Sequence, residues 1–233
     1  MVAVKTLRSW AYSLSRSRSR KSDSWNSGHN ISLFISSHWR SLFGIKEKMA
    51  DTKFQYFSYG SNLLRERILV NNPSATFHGI GKLKGFILTF DTPKDVGDDL
   101  WLGATATIRP GSVDDFVWGV VWDMDLEHLK TLDEQEMGYR AYEVTVDVDG
   151  QPVPCRTYEM CLEPNGNKLP SPYYLKVIID GAKQNGLPAD YITFLESFPH
   201  NGNNTPPPRY IKVMEMIEKF RGHHINGTIP KEL

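Results

Sequence analysis

From Lys53 onward the apolar positions fall into two regimes: short alternating or unbroken runs first, then three- and four-residue spacing in the last third. Phe54–Ser58 predicts a first strand, rich in aromatics and cut off at Gly60. Leu83–Asp91, Ala104–Arg109 and Phe116–Met124 predict further strands, separated by Gly and Asp clusters. In the last of these, Val117, Gly119 and Val121 alternate with Trp118, Val120 and Trp122. Both faces are apolar, which predicts a central or barrel-closing strand. Asp125–Leu132 predicts a short helix with Leu126, Leu129 and Leu132 on one face and Asp125 as N-cap. Tyr142–Val148 and Val153–Met160 flank Asp149-Gly150, a strong hairpin turn.

The last third predicts helices. Tyr174, Val177, Ile178 and Ala182 share a face, with Pro172 near the start and Gly186 as C-cap before Pro188. Tyr191, Phe194, Leu195 and Phe198 repeat the spacing, and a final helix runs to about Phe220 after the Asn/Pro-rich segment 199–208. Some six strands followed by helices make an α+β domain, not an alternating α/β one. No internal repeat is visible, so residues 51–233 read as a single domain.

Composition adds a division. The 27 basic and 27 acidic groups cancel, but residues 1–50 hold nine Lys/Arg against Asp23 and Glu47, a local +7, leaving −7 for 51–233. An acidic body argues against nucleic acid as a partner. The first 50 residues, dominated by Ser and Arg, read as a mitochondrial transit peptide or as a disordered extension, with RNA contact a distant third. Met49 suits a second start site giving a shorter cytosolic product. Two Cys exclude a disulfide scaffold and point to a reducing, cytoplasmic compartment. The apolar run Ile31–Trp39 is far shorter than the roughly 20 residues of a membrane span, so no membrane partner is expected.

Two stretches carry candidate chemistry. Tyr56–Leu64 is a strand ending in Gly60-Ser61-Asn62 at the start of a helix. Its small-residue amides form either a concavity suited to a carboxylate or a tight turn with Asn62 as cap; Gly60 permits close approach or positive φ. Leu132–Gly138 holds Asp133, Glu134 and Glu136 at a helix end. They are either a solvated acidic surface or, in an aromatic cleft and against the helix dipole, a source of one raised-pKa general base. Tyr139, Tyr142, Tyr158 and Tyr174 offer hydroxyl partners. Gly79–Lys82 lacks Walker spacing and reads as a turn. The seven His show no metal-ligand spacing with Cys155 or Cys161, and His223-His224 read as the end of the last helix. Cys155 reads as a buried small hydrophobe in a strand.

Phe57–Leu64, Asn72–Ser74, Val117–Trp122, Leu132–Glu136, Cys155-Arg156 with Tyr158, Pro170–Pro172 and Gly181–Pro188, in collinear order, closely resemble γ-glutamylcyclotransferases. The resemblance implies a small mixed β-barrel flanked by helices, a homodimer, and no cofactor or metal. It implies conversion of γ-glutamyl amino acids to 5-oxoproline and a free amino acid. It assigns the acid/base to Glu136 and substrate binding to Tyr56, Phe57, Ser58, Tyr59, Gly60, Ser61, Asn62, Leu63 and Tyr174, with Tyr142 and Tyr158 as pocket walls. The connection Met137–Ala141 departs from the family pattern, which leaves the leaving-group preference open. Three other readings stand beside this one: a cyclotransferase for γ-glutamylamines, a non-catalytic binding module on the same fold, and a basic-tailed RNA-associated protein.

Overall fold

In the computed structural model, residues 52–92, 100–136, 138–161 and 168–225 are described. The expectations for the N-terminal 50 residues and Met49 lie outside them.

Strand β1 (Lys53–Ser58) leads through a 3-10 turn (Ser61–Leu63) into helix α1 (Arg65–Leu69). Strands β2 (Thr76–Lys84), β3 (Phe86–Asp91), β4 (Thr105–Pro110) and β5 (Phe116–Asp125) follow. A 3-10 turn (Leu126–His128) and helix α2 (Leu129–Gln135) precede the hairpin β6 (Tyr139–Val148) and β7 (Gln151–Met160). Helices α3 (Pro172–Gln184), α4 (Ala189–Glu196) and α5 (Pro208–Ile225) complete the described chain.

Five strands close a barrel in the order β1-β5-β2-β6-β7. All neighbours are antiparallel except β1 and β7, whose parallel contact sets Tyr56 against Arg156. This is the mixed barrel with flanking helices that the sequence resemblance implied. β5 pairs along both edges, with β1 and β2; Val117, Val120 and Val121 are fully buried and Trp122 is 1% exposed, as two apolar faces demand. The turn at Asp149-Gly150 has positive φ at both residues, 50° and 78°, which matches the twist of the hairpin it joins.

Four local expectations need correction. Gly79–Lys82 is not a turn but the middle of β2. A Cβ on Gly81 would lie 2.4 Å from Val146 Cγ1, so the missing side chain lets the barrel wall close. Leu83–Asp91 is two strands, because the chain turns at Gly85 and β3 leaves the barrel to pair with β4 in a separate two-stranded sheet. Asp125 makes no side-chain cap; it stays in β5 opposite Lys53, a 3-10 turn follows, and only Leu132 of the three leucines is fully buried. His223-His224 do not end the last helix, which runs on to Ile225.

Helix α3 follows its sequence signature. Ser171 Oγ accepts a hydrogen bond from Tyr174 N at 3.2 Å, Pro172 opens the first turn, and Tyr174, Val177, Ile178 and Ala182 are buried. Helix α5 packs on α1. No helix among the described residues is long and apolar enough to cross a membrane.

Candidate active site

Helix α2 is fastened at both ends by the Asn72–Ser74 loop. At its start Ser74 Oγ lies 2.6 Å from His128 Nδ1 and accepts from Asp125 N at 3.2 Å. At its end the fully buried Asn72 exchanges side-chain hydrogen bonds of 3.3 and 3.4 Å with Gln135. The next residue, Glu136, leaves helical geometry at φ −91°, ψ 44°, and this turns its side chain away from its acidic neighbours. Glu134 pairs with Lys130 on the outer face at 3.7 Å. Asp133 takes a forked hydrogen bond from Arg156 (2.9 and 3.0 Å) and another from the Tyr158 hydroxyl at 2.5 Å. Glu136 instead accepts from Asn62 Nδ2 at 3.3 Å.

Asn62 is therefore no cap. Its amide also donates to the Tyr56 hydroxyl at 3.0 Å, its carbonyl accepts from Trp122 Nε1 at 3.2 Å, and its Oδ1 is buried with no partner. Gly60 has φ −110°, so close approach and not positive φ explains it. A Cβ there would sit 3.3 Å from both Ala106 Cβ and the Tyr174 hydroxyl. That hydroxyl accepts from Ala106 N at 3.0 Å, pinning α3 to β4 behind the turn. Tyr139 donates to Ala106 O at 2.9 Å and lies 2.7 Å from Thr105 Oγ1; Tyr59 donates to the Tyr158 carbonyl.

Charge in this cleft is unusual. Glu136 is half-buried by exposed area, yet its carboxyl is surrounded by protein closely enough that lost hydration pushes its pKa from 4.5 up to about 7. Arg67 and Arg209 pull it down, Asp133 pushes it up, and the Asn62 hydrogen bond lowers it, but desolvation dominates. Burial, reinforced by the Glu136 charge, raises the Tyr56, Tyr59, Tyr139 and Tyr174 hydroxyls, so all four stay protonated donors.

Residues 116–195, from the start of β5 into α4, match the AIG2-like family. The chain is 46% identical over 151 residues to the γ-glutamylcyclotransferase of Bos taurus, an alignment covering 62% of this chain and 78% of that protein. The Homo sapiens γ-glutamylcyclotransferase is 40% identical over 148 residues, 60% of this chain and 76% of its own. The chain belongs to the γ-glutamylcyclotransferase family. A solved γ-glutamyl cyclotransferase matches with a TM-score of 0.66 at 38% identity, covering 72% of this chain and 99% of that one. YkqA from Bacillus subtilis, 21% identical with a TM-score of 0.52 over 70% of this chain and 60% of its own, shares the fold.

Of the residues that the family resemblance named, Glu136, Asn62, Tyr56, Tyr59, Gly60, Ser61 and Tyr174 come together at this cleft. Phe57 and Leu63 are fully buried core side chains, and Ser58 is spent on Val120 O (3.2 Å) and Trp122 Nε1 (2.9 Å), so these three offer the cleft only backbone. Tyr158 lies behind Tyr56, ring centroids 5.9 Å apart, with its hydroxyl turned to Asp133. Tyr142 is not a pocket wall: it is 37% exposed and packs on Phe86 outside the cleft. Tyr139, three residues earlier and therefore on the opposite face of β6, points in instead. Arg67 and Arg209 had no part in the sequence expectation; the available signal was a cation at position 67 between Leu64 and Ile68 on an apolar helix face.

Cys155 is buried in β7 and its thiol is pushed up to about 12 by burial, which fits an inert small hydrophobe. Asp125, Glu127 and His128 bring ligand atoms within 4.8 Å of one another at the start of α2. His128 Nδ1 there is already engaged by Ser74.

Proposed function

We propose that this chain converts γ-glutamyl amino acids to 5-oxoproline and a free amino acid, with Glu136 as the acid/base. Glu136 takes a proton from the substrate α-ammonium. The freed amine attacks its own γ-carbonyl carbon and closes a five-membered ring. The ring nitrogen of the tetrahedral intermediate still carries two protons. One moves to the departing nitrogen as the amide C–N bond breaks, and the amine takes the first proton back from Glu136 and leaves as its ammonium. Ring closure within one molecule replaces an encounter between two, so holding the substrate folded accounts for much of the acceleration.

What supports this reading is a carboxyl with a pKa of about 7, hydrogen-bonded to the residue that closes the Tyr56–Asn62 turn. The substrate α-ammonium, beside its own carboxylate, holds its proton more tightly than a chain N-terminus near 8, so a strong base is needed. Raising the carboxyl from an ordinary 4.3 to about 7 lowers the cost of that transfer by roughly 4 kcal/mol. The unpartnered Asn62 Oδ1 is an acceptor suited to the ammonium, and the Asn62 backbone amide suits the tetrahedral oxyanion, Leu63 N being spent on Gly60 O at 3.0 Å. Release of 5-oxoproline from γ-glutamyl-alanine by the purified protein, lost in folded Glu136→Gln and Glu136→Ala variants, is the expected result. Turnover retained by either variant contradicts the role.

The family resemblance also supports a homodimer, which light scattering on the purified chain tests; a monomeric mass would reject it. Residues 51–233 as one catalytic unit predict that a protein starting at Met49 keeps full turnover. Residues 1–48 fused to a fluorescent reporter test mitochondrial import, and a diffuse cytosolic signal counts against it.

A further inference from the structure

Arg67 is 7% exposed, and its Nε and Nη1 are buried with no hydrogen-bond partner. Among the described residues no carboxylate forms an ion pair with it. A buried guanidinium without a partner is among the least favourable arrangements a fold can hold, because its hydration is lost and nothing replaces it. The guanidinium is not remote from the chemistry. Its charge acts on Glu136, Tyr56 and Tyr174, the residues that surround the Tyr56–Asn62 turn. Arg209, in the first turn of α5, stands near enough to disfavour the Arg67 charge further. Burial and Arg209 together lower the Arg67 pKa, and Glu136 only partly offsets them. When Glu136 is protonated, Arg67 loses the carboxylate charge that favours its own.

A γ-glutamyl group carries its ammonium and its α-carboxylate on the same carbon. Whatever takes the ammonium proton must therefore lie beside whatever meets the carboxylate. We propose that Arg67 is the residue that receives the glutamyl α-carboxylate, pairing a buried guanidinium with the one anion that substrate brings next to Glu136. This assignment rests on the cyclotransferase reading above. Arg67 is a substrate-positioning group: holding the carboxylate fixes the α-carbon, and so aims the amine at the γ-carbonyl. Guanidinium suits this better than ammonium, because its planar donors match a carboxylate and it stays charged when buried.

The test compares two substrates that form the same bonds. γ-Glutamyl-alanine has the α-carboxylate; 4-aminobutanoyl-alanine lacks it and cyclises to 2-pyrrolidinone. The ratio of their kcat/KM values in wild type, Arg67→Lys and Arg67→Met isolates the carboxylate. The expected result is a fall of at least about tenfold in that ratio for Arg67→Met, the scale of a lost hydrogen bond to a charged group. It should come mainly from KM for the glutamyl substrate, with Arg67→Lys in between. A ratio unchanged while both substrates decline together would overturn the assignment, since a structural role, or one confined to Glu136, affects both alike. Calorimetric binding of L-glutamate against 4-aminobutanoate gives the same comparison without turnover, and Arg67→Lys carries it if Arg67→Met does not fold. Wild type that releases no 5-oxoproline from γ-glutamyl-alanine would defeat the functional reading itself, a different outcome from an unchanged ratio in active variants.

Discussion

Replacing Glu136 with Gln should make the protein more stable, and by an amount that depends on pH. The folded chain holds the Glu136 carboxyl at a pKa of about 7 against 4.5 for the ordinary group, because desolvation outweighs the pull of Arg67 and Arg209. Below pH 4.5 the acid is protonated whether folded or unfolded, so it costs nothing. As pH rises the unfolded chain ionises first, and stability is lost progressively until the folded group ionises too, near pH 7. Above that the penalty is constant. At 1.36 kcal/mol per pKa unit the gap sets a ceiling of roughly 3 kcal/mol. Gln keeps the shape and an acceptor for Asn62 but never ionises. Urea denaturation of wild type and Glu136→Gln at pH 5, 6, 7 and 8 should show a stability difference that is small at pH 5 and approaches that ceiling at pH 8. A difference that does not vary with pH, or a variant that loses ground as pH rises, would refute the reasoning, because it would mean the cleft welcomes the ionised form.

Three further perturbations separate parts of the architecture. Asn62→Ala removes the 3.3 Å hydrogen bond that favours ionised Glu136, so the rising limb of the rate against pH should move to higher pH and kcat should fall by about tenfold; an unmoved limb would show that the bond does not tune the acid. Gly81→Ala sets a methyl 2.4 Å from Val146 Cγ1 across the barrel wall and should cost about 1–3 kcal/mol in thermal or urea unfolding; a neutral result would mean that β2 and β6 are further apart than described. Tyr142→Phe, outside the cleft, should leave turnover unchanged and stability within about 0.5 kcal/mol, whereas a large loss of kcat/KM would restore Tyr142 to the pocket.

The parts of the fold legible from sequence were those with local causes. Ser171, Pro172 and the Tyr174, Val177, Ile178 spacing define α3 within the helix itself, and Asp149-Gly150 defines the hairpin turn within four residues. The two apolar faces of β5 marked it as a central or barrel-closing strand, and it is a wall strand of the closed barrel, paired on both edges. What was misread depends on partners distant in the chain. Gly79 and Gly81 look like turn residues until β6 is brought against them. Tyr139 and Tyr142 are indistinguishable as hydroxyls, and only the register of β6 decides which faces inward. Among three neighbouring carboxylates, the anchoring of α2 by Asn72 and Ser74 and the departure from helical geometry at Glu136 turn one of them inward. Arg67 was passed over because a charged helix residue is normally solvated. Its burial follows from α5 packing over α1, across some 140 residues of chain.

The central claim, a carboxyl at the end of α2 whose burial raises its pKa to where it can exchange a proton with an α-amine, has a direct measurement. Carbon-13 NMR of glutamate side-chain carboxyls, titrated in wild type and in Glu136→Gln, should reveal one resonance that is missing from the variant and titrates at about 7. The same resonance titrating near 4.5, alongside the exposed glutamates, would contradict the account.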